Sequence, residues 1–153
     1  MDIVLYEPEI PPNTGNIIRL SANLGANLHL VKPYGFEMDD RRLRRAGLDY
    51  RALAHVTEHD SWPECQAHFG DRRWFALSTR GRTLYSDARF DAADVLLFGP
   101  ETRGLPESVL AQLAQEQILR IPMNAQSRSL NLANAVAVVA FDHLRQRGFP
   151  DLV

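Results

Sequence analysis

Asp2-Ile3-Val4-Leu5-Tyr6, then Asn13-Thr14 through Asn23-Leu24, then Asn27-Leu28-His29-Leu30-Val31 decide the fold, because they read in order as strand, helix and strand. The first is a short apolar run, the mark of a strand buried on both faces. It stops at Glu7-Pro8-Glu9-Ile10-Pro11-Pro12, where three prolines oppose both a helix and a sheet ladder. Asn13-Thr14 is the expected helix cap, and Ile17, Leu20 and Leu24 recur at helical spacing until Gly25 closes the helix. Asn27 to Val31 is the returning strand, which completes a β-α-β unit.

The alternation continues along the chain. Asp39-Asp40 opens a short basic helix carrying Arg41, Arg42, Arg44 and Arg45 and ended by Gly47, with its acids at the positive end of the dipole. Ser61-Trp62-Pro63 reads as the cap and first turn of a helix to about Phe69. Trp74 to Ser78, Val95 to Phe98 and Gln117 to Ile121 read as buried strands, with a helix from about Pro106 to Leu113 between the last two. Leu130 to Arg147 is the longest helix, ended by Gly148 with Pro150 beyond. These readings predict an α/β fold, a mostly parallel sheet flanked by helices, forming one domain over residues 1–153.

Composition narrows the function. The 153 residues carry 17 basic and 19 acidic side chains, a net charge of −2, so no global positive field draws in nucleic acid, although local basic patches are allowed. One cysteine, Cys65, excludes a disulfide scaffold and a multi-thiolate zinc site. The N-terminus has no basic segment followed by an apolar one, and the longest apolar run, Ala135 to Phe141, is far below the ~18 residues of a membrane span. A soluble, cytoplasmic protein is expected. Lys32 is the single lysine beside sixteen arginines, which reflects either genome composition or a use for forked guanidinium groups on phosphate and carboxylate. His55-Val56-Thr57-Glu58-His59 matches the inverted zinc motif H-x-x-E-H, but that motif needs a helix and a third ligand. The segment is short and β-branched at its centre, so no metal is expected.

Three stretches are richer in polar residues and glycine than their surroundings: Asn13-Thr14-Gly15-Asn16-Ile17-Ile18-Arg19, Phe98-Gly99-Pro100-Glu101-Thr102-Arg103-Gly104-Leu105, and Ile121-Pro122-Met123 through Ser127-Arg128-Ser129-Leu130-Asn131. The second and third follow the C-terminal ends of parallel strands, the edge where open α/β sheets bind ligands. Gly99 and Gly104 bracket a tight loop, and Ser127, Ser129 and Asn131 straddle a helix start, where they serve either as caps or as ligand contacts. The spacing is neither G-x-G-x-x-G nor G-x-x-x-x-G-K-[ST], which removes support for ordinary dinucleotide and P-loop chemistry.

Taken together, these stretches resemble motifs 1, 2 and 3 of the SPOUT-class RNA ribose 2′-O-methyltransferases, and more narrowly the small TrmL (YibK) type. Arg42-Leu43-Arg44-Arg45-Ala46-Gly47-Leu48-Asp49-Tyr50 matches the narrow type as well, and departures fall at Asn124-Ala125-Gln126 and Phe141. The resemblance implies an α/β knot with a C-terminal trefoil, a homodimer, and S-adenosylmethionine as the methyl donor. It implies the 2′-hydroxyl of the wobble nucleotide, cytidine or uridine 34, of tRNA as acceptor, leucine tRNAs being the expected substrates. By matched motif it assigns Leu77, Gly99, Gly104, Ile121, Met123, Ser129 and Leu130 to the cofactor, and Asn13, Arg19, Glu101 and Asn131 to RNA handling and catalysis, with Ser129 shared between the two.

Arg41, Arg42, Arg44, Arg45 and Arg51 are the densest basic patch and the expected grip on an anticodon stem-loop. Ala133, Ala135, Val136, Ala137, Val139 and Ala140 give the last helix small apolar residues almost all round, suited to a dimer interface. The rival readings are a methyltransferase for another tRNA position or for ribosomal RNA, and a non-catalytic RNA-binding protein on the same knot.

Overall fold

The computed structural model describes residues 1–36 and 55–153. The basic segment Arg41, Arg42, Arg44, Arg45 and Arg51 lies outside the described residues. The elements are β1 (Asp2–Tyr6), α1 (Pro11–Leu24), β2 (Asn27–Val31), β3 (His55–His59), α2 (Trp62–Phe69), β4 (Trp74–Leu77), β5 (Thr83–Leu84), β6 (Val95–Phe98), α3 (Glu107–Leu110), β7 (Ile118–Arg120) and α4 (Leu132–Gln146). Single 3₁₀ turns at Tyr85–Asp87 and Gln115–Gln117 join them. The strands form one sheet in the order β3-β2-β1-β6-β4-β7-β5, and every pairing in it is parallel.

Period-two alternation distributes the apolar side chains to two cores. Ile3, Leu5, Leu28, Leu30, Leu96 and Phe98 face α1 and α4 and meet Ile17, Ile18, Val136, Val139 and Ala140. Val4, Val31, Ala76, Val95 and Leu97 face the other way, toward Cys65 and Phe69 of α2 and Val109 and Leu110 of α3. With both faces covered, β1, β2 and β6 carry nearly continuous apolar runs, and each buried Leu, Ile or Phe contributes about 1.5–3 kcal/mol.

Several boundaries differ from the sequence reading. Helix α1 starts at Pro11, not at an Asn13-Thr14 cap; its N-cap is Ile10, and Asn13 and Thr14 are buried within the helix. Pro11 and Pro12 occupy the first turn, where a missing N–H leaves no ladder bond unmade. Helix α3 is a single turn rather than a helix to Leu113. Helix α4 runs over Leu132–Gln146, capped by Asn131, whose side chain accepts from Asn134 N. Residues 55–59 form the edge strand β3, which is not the helix that the zinc motif requires. Among the described residues no group of three or more potential ligands is arranged to hold a metal, and no helix is long and apolar enough to cross a membrane.

Beneath α2 lies a buried polar chain. His29 Nε2 donates to Asp2 Oδ1 (3.3 Å), which leaves His29 Nδ1 to accept from His59 Nε2 (3.0 Å). His68 packs its ring on both histidines, and Arg72 and Asn27 complete the shell of Asp2. Burial opposes the charge of Asp2, yet hydrogen bonds from His29, Arg72 and Asn27 hold its carboxyl well below the usual range. Burial, reinforced by His29 and His68, lowers the pKa of His59 against the opposing pull of Glu64. Burial likewise lowers that of His143, although its bond to the Asp91 carbonyl opposes this.

Just below pH 6.5, the usual histidine value, the unfolded chain therefore binds protons that the folded chain refuses. The stabilisation is complete above that pH and is lost as pH falls through the window beneath it. The urea midpoint should accordingly be lower at about pH 5.5 than at about pH 7.5. His59→Gln, which keeps a donor for His29 but does not titrate, should make that dependence shallower. Equal pH slopes in the two proteins would remove His59 as a source.

Candidate active site

The sheet order reverses between β1 and β6: β2 and β3 lie to one side of this pair, and β4, β7 and β5 to the other. The loops leaving the C-terminal ends of β1 and β6 therefore diverge, opening the crevice in which open parallel sheets bind ligands. A cavity of about 600 Å³ lies beside it. Its lining comes from the ends of β4 and β6, the 99–105 loop, and the 121–130 segment leading into α4. Leu77, Gly99, Gly104, Ile121, Met123, Ser129 and Leu130, seven residues drawn from three strand ends, all line it.

Two glycines shape the wall for different reasons. A Cβ on Gly99 would stand 2.4 Å from Leu105 N and 2.7 Å from Gly104 C, so only glycine lets the loop close on itself. Gly104 has open space around it but adopts φ 67°, in the left-handed region that side chains disfavour. Its N–H donates to the Pro100 carbonyl (3.0 Å), and the following Leu105 is buried as the anchor of the loop. The third segment is pinned by an Asx turn: Gln126 N donates to Asn124 Oδ1 (3.0 Å) and Ser127 N to the Asn124 carbonyl (2.8 Å). Of the three polar residues around the α4 start, Asn131 is the N-cap, while Ser129 lines the cavity.

Asn13, Glu101 and Asn131 form one relay. Glu101 Oε1 accepts from Asn13 Nδ2 (3.1 Å), which turns Asn13 Oδ1 toward Asn131 Nδ2 (2.9 Å). Asn131 Oδ1 then faces Asn134 N (3.3 Å). The carboxylate at one end thus fixes both amide orientations and ties the three motifs to the start of α4. Glu101 also accepts from Glu9 N (2.8 Å) and Ile10 N (3.2 Å) at the entry to α1. Its oxygens are committed to three donors, so in this arrangement Glu101 orients its neighbours.

Arg19 stands apart, exposed on α1 and outside the cavity lining. Sequence reading missed Ser78, Thr79, Arg80 and Arg128, which also line the cavity. The first three directly follow the C-terminal end of β4, and that position was the available signal. It also missed Glu7, Glu9 and Arg103, whose pairing no local pattern announces.

Residues 1–141 match the SpoU rRNA Methylase family. A tRNA (cytidine(34)-2′-O)-methyltransferase of Methylovorus glucosotrophus is 53% identical over 152 residues, covering 99% of each chain. A structure solved for insights into the 2-OH methylation of C/U34 on tRNA has a TM-score of 0.91 at 47% identity, covering 96% of this chain and 95% of that one. An AdoMet-bound rRNA methyltransferase from Sinorhizobium meliloti has a TM-score of 0.83 at 26% identity, covering 94% of this chain and 55% of that one. With the match running through all three polar stretches and the strands that carry them, the chain belongs to the SpoU rRNA methylase family.

Proposed function

We propose that the chain transfers the methyl group of S-adenosylmethionine to the ribose 2′-hydroxyl of the wobble nucleotide, cytidine or uridine 34, of tRNA, with leucine tRNAs among its substrates. It works in the cytoplasm as a homodimer that grips the anticodon stem-loop. The observation that carries this reading is that the second and third polar stretches line one cavity and the first is tied to both through a hydrogen-bonded relay at the sheet's reversal. Relatives named for cytidine 34, and an AdoMet-bound one, support the position and the donor.

The lining suits such a cofactor. Leu77, Ile121, Met123 and Leu130 offer apolar contact for a base, and Ser129 and the backbone around Gly99 and Gly104 offer polar partners. When bound, S-adenosylmethionine supplies a methyl group on a sulfonium leaving group. Positioning can then supply much of the acceleration, which is the part played by the cavity wall and the Asn13–Glu101–Asn131 relay.

The remaining need is to assist loss of the 2′-hydroxyl proton. A guanidinium makes a poor base, so the role of Arg19 is to orient the adjoining phosphate or stabilise developing negative charge. Arg41, Arg42, Arg44 and Arg45 supply the local positive charge that a chain of net −2 needs for RNA. The same reading threads the C-terminal segment into a trefoil knot. Its support is the crossing of residues 78–82 past β7, where Ser78 N donates to the Leu119 carbonyl (2.9 Å) and Gly81 abuts the 118–119 backbone.

The dimer reading is refined by burial. Val136, Val139 and Ala140 of α4 lie in the protomer core, whereas Val138 and Phe141 are exposed, with Leu130 exposed before the helix. A charge at Ala140 would therefore disrupt the core itself. Val138 and Phe141 are the positions at which a partner copy packs.

Nucleoside mass spectrometry of tRNA from a deletion strain should lose 2′-O-methylation at position 34 and regain it on complementation. Loss at another position, in ribosomal RNA, or nowhere would favour a rival reading. Gly99→Ala should weaken S-adenosylmethionine binding at least about tenfold by calorimetry while far-UV circular dichroism stays native, because the new Cβ must push back the Leu105 backbone. Arg19→Ala should keep cofactor affinity and lose single-turnover methyl transfer by about 10² or more, with poor rescue by Arg19→Lys. Near-normal turnover in Arg19→Ala would overturn its assignment. Phe141→Lys should yield a folded monomer by sedimentation, and an unchanged dimer would move the interface elsewhere.

A further inference from the structure

The loop after β1 and the loop after β6 are fastened by a reciprocal exchange that shares Glu101 with the relay and adds Glu9, Thr102 and Arg103. Glu101 takes the backbone N–H groups of Glu9 and Ile10, and Glu9 returns the arrangement. Glu9 Oε2 accepts from Thr102 N (2.9 Å) and Thr102 Oγ1 (2.6 Å), and Glu9 Oε1 accepts from Arg103 Nε (3.2 Å). The Arg103 guanidinium reaches on to the Glu7 carboxylate (2.5 Å). Thr102 and Arg103 both belong to the cavity wall.

Two further observations set this contact apart from an ordinary surface pair. Glu7 holds φ 46°, a left-handed backbone that a residue with a Cβ disfavours and that persists only where surrounding contacts impose it. Glu9 and Arg103 side chains are 27% and 54% exposed, so the pairing between them adds little to global stability. A contact that matters little for folding, yet holds a bent backbone and the wall of a binding cavity, acts on the geometry of that wall.

We infer that Glu9 and Arg103, with Glu7, form a latch that holds the 100–104 loop in its cofactor-binding position, making Glu9 and Arg103 positioning residues for methyl transfer. The inference rests on the methyl-transfer reading above. The latch prepays the ordering of the loop, so that binding does not bear that cost. Glu9 acts through Thr102 and Arg103, since it is not itself among the residues lining the cavity.

The test is calorimetry of S-adenosylmethionine binding to the full chain and to Glu9→Ala, Arg103→Ala, the double variant and Glu9→Gln, with thermal midpoints measured beside it. Each single alanine variant should weaken binding about tenfold with its midpoint nearly unchanged. The double variant should be no weaker than either single one, because both open the same latch. Glu9→Gln, which keeps an acceptor for Thr102, should recover most of the affinity. Undiminished affinity in Glu9→Ala overturns the latch. Additive losses overturn it too, because they assign Arg103 to direct cofactor contact, and so does a loss of affinity matched by a loss of stability. Failure of the unaltered chain to bind S-adenosylmethionine removes the methyl-transfer reading, and the latch with it. Binding by the unaltered chain alongside an indifferent Glu9→Ala removes the latch alone.

Discussion

The carboxylate of Glu101 is the contact on which the site depends. It stands where the sheet reverses, just beyond β6, and takes donors from the chain that leaves β1. Parallel strands leave all their C-terminal ends on one edge, so loops distant in sequence gather there and their backbone N–H groups need partners. One carboxylate serves two of those N–H groups and one amide, and the amide passes the constraint to Asn131 and the start of α4. The cavity wall, the entry to α1 and the entry to α4 are thereby set by one side chain.

What was legible in the sequence follows from where each element sits. Strands β1, β2 and β6 are sandwiched between helices, so they are apolar throughout and visible as runs. Strand β3 lies at the sheet edge with three of its five residues exposed, and β5 has only two residues, so neither carries a run to detect. Pro11 and Pro12 suggest a break in the sequence, yet α1 starts on them, because the first helical turn tolerates proline. Gly99, Gly104, Asn13 and Asn131 stood out because glycines and amides are unusual beside apolar strands. Glu9 and Arg103 did not, because acids and arginines are ordinary in loops and their partners lie 93 and 94 residues away from Glu9.

The arginine excess has a structural use that net charge conceals. Among the described residues, Arg72, Arg73, Arg80, Arg103 and Arg145 each pair with a carboxylate. Arg73 uses its fork fully, reaching both oxygens of Asp94 (2.8 and 2.7 Å) and the Arg89 carbonyl (3.0 Å). Asp94 is buried, and its hydrogen bonds raise the pKa of Arg73. A lysine would meet the charge but not the planar geometry.

This intramolecular pairing bears on how a chain of net −2 meets RNA. Acids bound to arginines within the fold are already neutralised, and they contribute little field at a distance beyond the ~8 Å Debye length of physiological salt. Arginines outside such pairs then govern the local potential. Arg128, at the cavity and without a carboxylate partner among the described residues, sits on the same edge of the sheet as the relay. An overall charge of −2 is therefore compatible with a positive approach to the reacting ribose, because the potential there is set by the charges nearest to it rather than by the sum over the chain.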